Sequence, residues 1–407
     1  MTSRTADLAG IGFDQGAQVI LRRELALLPP GGRLGVIGTH DALVAHLAAW
    51  CRREGHALTV PPDGDPGGPD TPGGPVRAWI VPGPATRGRW AGAERAGGVD
   101  PSQVVSRPAA HWGLAARGAL VEPGGPPSPF DLDRKEVVWA DLAPALYAQA
   151  AARQWDPATA IDWDCAFELP AEVEAAVVQV MTYLVENEQA ALVVPARLLA
   201  RVHPHFREVT QLLAVQAADE ARHIEVFTRR ATLRGDELGT SSAGGRASLT
   251  SLLAEPDFSL ASFLLSVLGE GTFLNLLSFL GQYAPDPVTR RIAALAHQDE
   301  ARHVAFGVAH LAEQARRDPA FRGRLRGAIE RRHDVLADTA GINEHVLDAL
   351  TLLAAGSWSP RAVADGHAAV QRLQAEMFEG RRNRLVHLGF PAGEAAELAA
   401  LHTRNFM

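Results

Sequence analysis

Apolar residues recur with a helical period over most of the second half of the chain. From about residue 135 onward, long segments place an apolar residue every three to four positions, and short polar breaks separate them. Two of these segments span 209–233 and 288–313. Almost none of this half alternates with a period of two. The pattern predicts a mainly α protein built around a helical bundle.

The first 85 residues follow another pattern, in which short apolar segments alternate with amphipathic helical ones. Such alternation is typical of a small α/β domain. The order that it predicts is βαβαββ. The predicted strands lie near 8–13, 33–38, 56–60 and 76–81, and the predicted helices span 16–28 and 41–54.

Gly and Pro concentrate in two clusters, at 61–75 and at 123–129. Such stretches lack apolar side chains to pack, so they predict a long loop and a linker. We therefore predict an α/β domain over 1–85, a Pro/Gly-rich linker over 86–134 and a helical domain over 135–407.

Composition and charge exclude several classes of protein. Hydrophobic residues make up 47% and charged residues 21% of the 407 residues, as in folded soluble domains. A net charge of −8 argues against a nucleic-acid partner. The sequence contains no uninterrupted apolar run of about 18 residues, so we predict no helix that spans a membrane. Cys51 and Cys165 are too few for a disulfide framework. We expect a cytoplasmic protein.

A pentapeptide, Asp-Glu-Ala-Arg-His, occurs at 219–223 and again at 299–303, inside the two helical segments already named. The Glu and the His of each copy are three residues apart, so they lie on one helix face and can reach the same metal ion. About thirty residues before each copy, a helical segment carries a glutamate among apolar residues: Glu188 in one case and Glu270 in the other.

Four carboxylates in an apolar bundle core would repel one another, and two divalent cations would remove that repulsion. Oxygen and imidazole ligands without thiolates favour iron or manganese over structural zinc. A solvated helix face could explain one copy of the pentapeptide, but not two copies with matched upstream glutamates. The predicted metal ligands, which are also the predicted catalytic residues, are Glu188, Glu220, His223, Glu270, Glu300 and His303.

This set, one Glu from each of two helices and Glu-x-x-His from each of two others, resembles the ferritin-like di-iron carboxylate superfamily over roughly 165–315. The resemblance implies a ferritin-like bundle with extra C-terminal helices, two iron ions or a Mn/Fe pair, and O₂ as cosubstrate. It also implies that Asp219 and Asp299 accept a hydrogen bond from the ligand histidine of the other half-site. Solvated positions are the alternative for these aspartates.

The first ligand helix offers Glu186 as well as Glu188, and the two lie about 200° apart around a helix. The sequence Glu-Gln-x-Ala that begins at Glu188 is similar to the first-helix signature of several ferritin-like oxygenases, which favours Glu188. His297, three residues before Glu300, is either an extra ligand or a histidine of the core or outer shell.

Other residues near the predicted ligands suggest a substrate pocket. Gly269 and Gly271 flank Glu270, and they either leave room for substrate or allow a local widening of the helix. Apolar residues within one helical turn of the ligands are candidate pocket walls. They are Leu192, Phe273, Leu274 and Phe306.

The N-terminal pattern βαβαββ, with Trp50-Cys51-Arg52 before Gly55-His56-Ala57-Leu58, resembles the TusA/SirA sulfur-carrier family. That family places its working cysteine in a Cys-Pro-x-Pro motif at the start of the first helix. The matching stretch here is Gly16-Ala17-Gln18-Val19, which lacks the nucleophile. The resemblance therefore implies a degenerate domain kept for docking or packing, with Cys51 as a small core residue.

Together these features predict a non-heme di-iron oxygenase or oxidase that hydroxylates or N-oxygenates a small organic substrate in specialised metabolism. A ferroxidase or iron-handling protein and a Mn/Fe ligand-binding oxidase are the alternatives. About 90 residues follow the last ligand helix, more than a simple storage ferritin needs. The partners that we expect are the small-molecule substrate, an electron donor and a second copy of the chain in a homodimer.

Overall fold

The computed structural model describes residues 3–401 except 30, 63–74, 84–89, 236 and 338–343. The predicted Pro/Gly loop at 61–75 lies almost wholly outside the described residues. Two compact units are present, one within 1–96 and 119–126 and the other within 97–118 and 127–407. The predicted boundaries at 85 and 134 stay predictions.

The smaller unit contains a four-stranded sheet and two helices in the predicted order βαβαββ. Strands β1 and β2 pair in parallel, whereas β4 pairs antiparallel with both β2 and β3, so the sheet order is β1-β2-β4-β3. Strands β5 and β6 pair antiparallel and form a separate two-stranded ribbon. The elements are β1 Ser3–Asp7, α1 Ala17–Ala26, β2 Arg33–Ile37, α2 Leu43–Glu54, β3 Ala57–Thr59, β4 Ala78–Val81, β5 Glu94–Arg95 and β6 Leu120–Val121.

The first strand was predicted near 8–13, and that position is wrong. Strand β1 spans Ser3–Asp7 and buries one side chain, that of Ala6, because it lies at the edge of the sheet. The apolar residues that suggested a strand instead lie in the turn that leads into α1. There Leu8 is buried and Ile11 packs against the same core, so burial in a turn produced the apolar pattern.

The larger unit is helical, as predicted. Helix α5 packs against α6, α9 packs against α10, and α6 contacts α10, so four long helices surround one core. Helices α12 and α13 cover α5 and α9. The helices are α3 Lys135–Val138, α4 Ala143–Ala152, α5 Ala171–Leu199, α6 Arg207–Ala231, α7 Ala243–Leu253, α8 Phe258–Ser262, α9 Gly271–Tyr283, α10 Pro287–Arg317, α11 Phe321–Ala337, α12 Glu344–Ala355, α13 Pro360–His387 and α14 Ala392–Leu401.

A π-helix, Phe263–Glu270, connects α8 to α9, and all eight of its residues are buried. The continuous run Phe258–Tyr283 is long and apolar enough to cross a membrane, but 83% of its apolar window is buried inside the unit. That burial is typical of a core helix in a soluble fold. The widening of the helix beside Glu270, one of the two roles considered for the flanking glycines, is therefore present.

Two apolar clusters make up the core of the helical unit, and the predicted ligands lie where one cluster gives way to the other. Along α5, Leu184 belongs to one cluster and Ala191 to the other, on either side of Glu188. The same change occurs along α10, between Ala296 and Phe306. The buried polar residues thus form a layer with apolar packing at both ends, which keeps water from the layer.

Residues 97–118, which lie within the predicted linker, belong to the compact unit that contains the helices. Val104 packs in an apolar cluster of that unit. Arg117 donates hydrogen bonds to both oxygens of Glu208 on α6, at 2.6 Å from Nη1 and 2.5 Å from Nη2, and both side chains are buried. Burial alone would raise the pKa of Glu208, but the hydrogen bonds from Arg117 hold it below its usual value. This ion pair fixes the segment to the bundle.

We predict that Arg117→Met lowers the free energy of unfolding by about 1.5–3 kcal/mol at pH 7, because the buried Glu208 carboxylate loses two hydrogen bonds from a charged donor and keeps only the one from the half-buried Arg207. A carboxylate with a lowered pKa adds stability above its unfolded-state pKa of about 4.3, and that stability is lost as the pH falls through the folded-state value. The difference between wild type and variant should therefore be full above about pH 4.3 and shrink as the pH falls below that value.

Urea unfolding followed by tryptophan fluorescence at pH 7 and pH 3 measures this difference. Arg107→Met is the matched control, because its exposed guanidinium pairs with Asp133 at the surface, and it should change stability by less than about 1 kcal/mol. A difference for Arg117→Met that stays constant over this pH range would contradict the assignment.

Candidate metal centre

The six predicted ligands converge in the buried layer of the helical unit. They form two groups, and within each group one ligand atom per residue lies within 4.8 Å of all the others. One group is Glu188, Glu220, His223 and Glu300, and the other is Glu220, Glu270, Glu300 and His303. Glu220 and Glu300 therefore belong to both groups. This is the arrangement of a two-metal centre with two shared carboxylates, and the cluster is able to bind metal.

The shared carboxylates present one oxygen to each histidine. Glu220 places Oε2 3.1 Å from Nδ1 of His223 and Oε1 3.1 Å from Nδ1 of His303. Glu300 places Oε1 3.4 Å from Nδ1 of His223 and Oε2 3.4 Å from Nδ1 of His303. Each oxygen of a shared carboxylate thus faces a different group, which suits a carboxylate that bridges two cations.

Both histidines use Nδ1 toward the cluster, and Nε2 faces an aspartate on the other repeat. Nε2 of His223 lies 3.2 Å from Asp299, and Nε2 of His303 lies 3.2 Å from Asp219. The aspartates thus stand at the hydrogen-bonding positions that the resemblance implies. A proton held on Nε2 by the aspartate leaves the lone pair of Nδ1 directed at a metal. Burial alone would raise the pKa of Asp299, but hydrogen bonds from His223, Trp155 and Arg222 lower it.

The arginines of the repeated pentapeptide neutralise these aspartates. Arg222 forms ion pairs with Asp219 and, at 3.0 Å, with Asp299. Arg302 forms ion pairs with Asp299 and, at 3.5 Å, with Asp219. The two aspartates and the two arginines balance in charge and link α6 to α10. Sequence reasoning missed this role of the arginines although both belong to the repeat.

No arginine neutralises the four glutamates in this way. Whether metal ions fit here can be judged from the hydrogen bonds that the buried glutamate oxygens make or lack. Among the described residues, oxygens of all four glutamates and Nδ1 of His303 are buried without a hydrogen-bond partner. Buried polar atoms are rarely left unpaired, and a buried unpaired carboxylate is costly. The unpaired atoms belong to residues of the two groups, so two cations would satisfy them together. The residues present therefore fit two divalent metal ions.

The protonation equilibria of two of the glutamates and of both histidines agree with that deficit of positive charge. Burial, followed by the charges of Glu220 and Glu300, raises the pKa of Glu188 well above its usual value. Burial and the charge of Glu300 do the same for Glu270. Burial alone would lower the pKa of His223 and of His303, but the surrounding carboxylates raise both. The cluster attracts protons, as it would attract metal cations in their place.

Glu270 has a further partner that the sequence did not indicate. Gln216, a buried residue one helical turn before Glu220 on α6, donates from Nε2 to Oε1 of Glu270 at 2.9 Å. The other oxygen of Glu270 has no partner among the described residues. Gln216 thus fixes the rotation of the Glu270 carboxylate and leaves one oxygen for a metal.

Trp155, on the segment that follows α4, connects the cluster with the surface. Its indole Nε1 donates to Asp299 at 2.8 Å, and its ring stacks on that of His223 with centroids 6.4 Å apart. The guanidinium of Arg222 lies over the indole ring. Trp155 is half-buried, and Gln154 beside it donates to Asp219. Sequence reasoning did not indicate this hydrogen bond to Asp299.

The two ambiguous candidates lie outside the cluster. Glu186 is half-buried on α5 and belongs to neither group, whereas Glu188 belongs to one. His297 is half-buried on α10 and also belongs to neither group. The structure therefore brings together the six predicted ligands and the two aspartates, and neither ligand group includes His297.

A small apolar cavity of about 20 Å³ adjoins the cluster on the side of Glu188, Glu270 and Glu300. This volume holds about one water-sized molecule. Gly269 lines it, so this glycine leaves room there, and Phe273 is the one predicted wall residue among those that line it. The other apolar residues of the wall are Ala191, Leu249, Leu252 and Leu265.

Comparison with known proteins gives matches among solved structures. No family model matches the chain, and no curated protein matches it. An R2-like ligand-binding oxidase with aerobically reconstituted Mn/Fe cofactor is 20% identical, with a TM-score of 0.46 over 61% of this chain and 93% of that one. A point mutant of such an oxidase, also with aerobically reconstituted Mn/Fe cofactor, is 19% identical, with a TM-score of 0.46 over 61% and 95% of the two chains. A likeness at this level says nothing about which metals or substrate this chain takes.

We predict that replacing a shared carboxylate removes more metal than replacing an unshared one. Glu220→Ala removes a ligand from both groups, so metal content should fall from two ions per chain to well below one. Glu188→Ala removes a ligand from one group, so about one ion should remain. Metal analysis by mass spectrometry after loading with Fe(II) and desalting measures both.

Glu225→Ala is the matched control, because Glu225 is exposed on the same helix as Glu220, and it should keep two ions. Equal metal content in the Glu220→Ala and Glu188→Ala variants would contradict the assignment of Glu220 to both ligand groups.

Proposed function

We propose that this protein is a non-heme two-metal oxidase or oxygenase that uses O₂ to oxidise a small organic substrate. The observation that carries the proposal is the pair of ligand groups that share Glu220 and Glu300 in a buried, water-excluding layer. We further propose that the substrate is hydroxylated or N-oxygenated in specialised metabolism, and that the protein is cytoplasmic.

Two iron ions are the proposed cofactor, with a Mn/Fe pair as the second choice. The ligand set supports both, because carboxylate oxygens and imidazole nitrogens without thiolates suit these metals. When bound, such ions supply the electrons that reduce O₂. Glu188 and His223 would complete one position, Glu270 and His303 the other, and Glu220 and Glu300 would bridge them.

Residues of the chain itself orient the ligand side chains and exclude water from the site. Asp299 and Asp219 hold the Nε2 protons of the two histidines, so Nδ1 stays directed at the cluster. The apolar clusters at either end of the layer exclude water, which strengthens the electrostatic interactions inside it and keeps side reactions out. Gln216 keeps Glu270 from rotating.

The apolar cavity supports O₂ chemistry over iron storage. Its walls away from the cluster are mainly aliphatic and aromatic side chains, which suit O₂ and an apolar part of a substrate better than a hydrated iron ion. Because its volume matches one water-sized molecule, a larger substrate requires the wall formed by Leu249 and Leu252 of α7 to move.

The experiment that tests this function is anaerobic loading with Fe(II), alone or with Mn(II), followed by exposure to O₂. We predict that the loaded protein consumes O₂ and that oxidation then stops until a reductant is added. The Glu220→Ala variant should consume O₂ no faster than free Fe(II) does. Continued oxidation of added Fe(II), with ferric iron accumulating beyond two ions per chain, would instead indicate a ferroxidase.

Repeated turnover requires an electron donor, and we propose that electrons enter near Trp155. The support is its place at the surface, hydrogen-bonded to Asp299, which in turn pairs with His223. We predict that Trp155→Phe slows reduction of the oxidised metals by an external reductant several-fold without changing metal content. Stopped-flow absorption measures the rate.

Trp163→Phe is the control for this variant, because the Trp163 indole donates to the carbonyl of Pro157 in the same loop and not to the cluster. Equal rates for wild type and Trp155→Phe would exclude this entry point.

For the N-terminal unit we propose a docking or packing role without sulfur transfer. Cys51 is 1% exposed, and burial raises the pKa of its thiol to about 11, so it is not a nucleophile at neutral pH. Gly16 and Ala17 stand where the sulfur carriers have their cysteine. The resemblance to that family is the support for a docking role.

A further inference from the structure

The π-helix that carries Glu270 ends at Glu270 itself, and the chain then changes its hydrogen-bonding pattern. The N–H of Gly271 pairs with the carbonyl of Ser266, five residues back, whereas the following helix α9 pairs four residues back. Where the hydrogen-bond spacing changes from five residues to four, one backbone carbonyl receives no N–H from the helix. Val267 follows Ser266, so its carbonyl lies at this step, and a buried carbonyl without a partner is unfavourable.

Helix α13 supplies a partner at this step. Arg384 donates from Nε to the carbonyl oxygen of Val267 at 2.7 Å. Arg381, one turn earlier, donates from Nη1 to Oγ1 of Thr272 at 3.3 Å, and that hydroxyl donates to the carbonyl of Leu268 at 2.6 Å. The two arginines therefore contact the chain on both sides of Glu270.

Two glycines leave the space that Arg384 occupies. A Cβ atom on Gly271 would lie 2.5 Å from Nε and 2.6 Å from Cζ of Arg384. A Cβ atom on Gly380 would lie 3.1 Å from its Nη1. Gly271, whose role the sequence left open, thus allows the guanidinium to reach Val267.

The arginines have no acidic partner within 4.0 Å among the described residues. Arg381 is 1% exposed, and its Nε and the Nη2 of Arg384 are buried without hydrogen-bond partners. Burial lowers the pKa of Arg381 and Arg384 to about 10, so both stay charged at neutral pH. Burying two unpaired cations is unfavourable. Their hydrogen bonds to the irregular segment are the compensation that the structure offers.

We propose that Arg384, supported by Arg381, is a positioning residue that holds the step from π-helix to α9 and thereby keeps Glu270 within its metal group. Arg384 contacts neither a ligand atom nor the cavity, so it acts through the backbone of Val267. The metal readout of this inference rests on the proposed two-metal function, but hydrogen exchange of the segment does not.

The test compares Arg384→Ala, Arg384→Lys and Gly271→Ala in the full chain. Gly271→Ala pushes the guanidinium away from Val267 while it keeps the charge, and alanine favours a helix more than glycine does. Arg384→Lys keeps one donor and should restore part of the wild-type behaviour. Arg382→Gln is the control on the same helix, because Arg382 pairs with Glu379 instead.

Two quantities are measured: hydrogen exchange of peptides from 263–272 before metal is added, and metal content after loading with Fe(II). We expect exchange in 263–272 to rise about tenfold in Arg384→Ala, since a lost hydrogen bond from a charged donor corresponds to that factor. In Gly271→Ala we expect a smaller rise, about twofold, because the helix propensity of alanine offsets part of the loss. Metal content should fall from two ions to about one, because Glu270 belongs to one group.

Unchanged exchange in 263–272 would overturn the proposal. So would exchange that rises equally in α5, because Arg384 would then stabilise the bundle in general. If wild type binds no metal, the two-metal function fails, whereas local exchange in 263–272 still decides whether Arg384 holds this segment.

Discussion

Four buried carboxylates that lack compensating charge are the constraint on which the helical unit depends. Asp219 and Asp299 are balanced by Arg222 and Arg302, but the glutamates keep unpaired oxygens in a layer with apolar packing at both ends. Apolar packing leaves little room for water to solvate them, so protons or metal cations must balance their charge. Two divalent ions would neutralise the four carboxylates, and the sharing of Glu220 and Glu300 requires those ions to be neighbours.

The rest of the layer follows from the need to hold these groups at fixed positions. Long helices supply the ligands, and each histidine is fixed by an aspartate from the other repeat. Those cross-links make α6 and α10 depend on each other. A displacement of either helix would move ligands of both groups together, so the spacing of the two metal positions is built into the packing of one helix pair.

The ligands could be predicted from the sequence because helical periodicity encodes which residues share a face, and the repeated pentapeptide encodes the second group. The order βαβαββ was readable for the same reason, although β1 was misplaced because burial in a turn resembles burial in a strand. Gln216, Trp155 and Arg384 could not be predicted as partners. Each contacts the site from a segment far away in sequence, and no local pattern marks which distant side chains will meet.

The two halves of the site match in their ligands but differ in their supports. Glu188 lies within the regular helix α5, whereas Glu270 ends a π-helix and is held by Gln216 on one side and by backbone contacts to Arg384 on the other. The cavity touches Glu188, Glu270 and Glu300 but not His223 or His303. The two glutamates that are not shared are therefore held by different contacts, although the two ligand sets are equal.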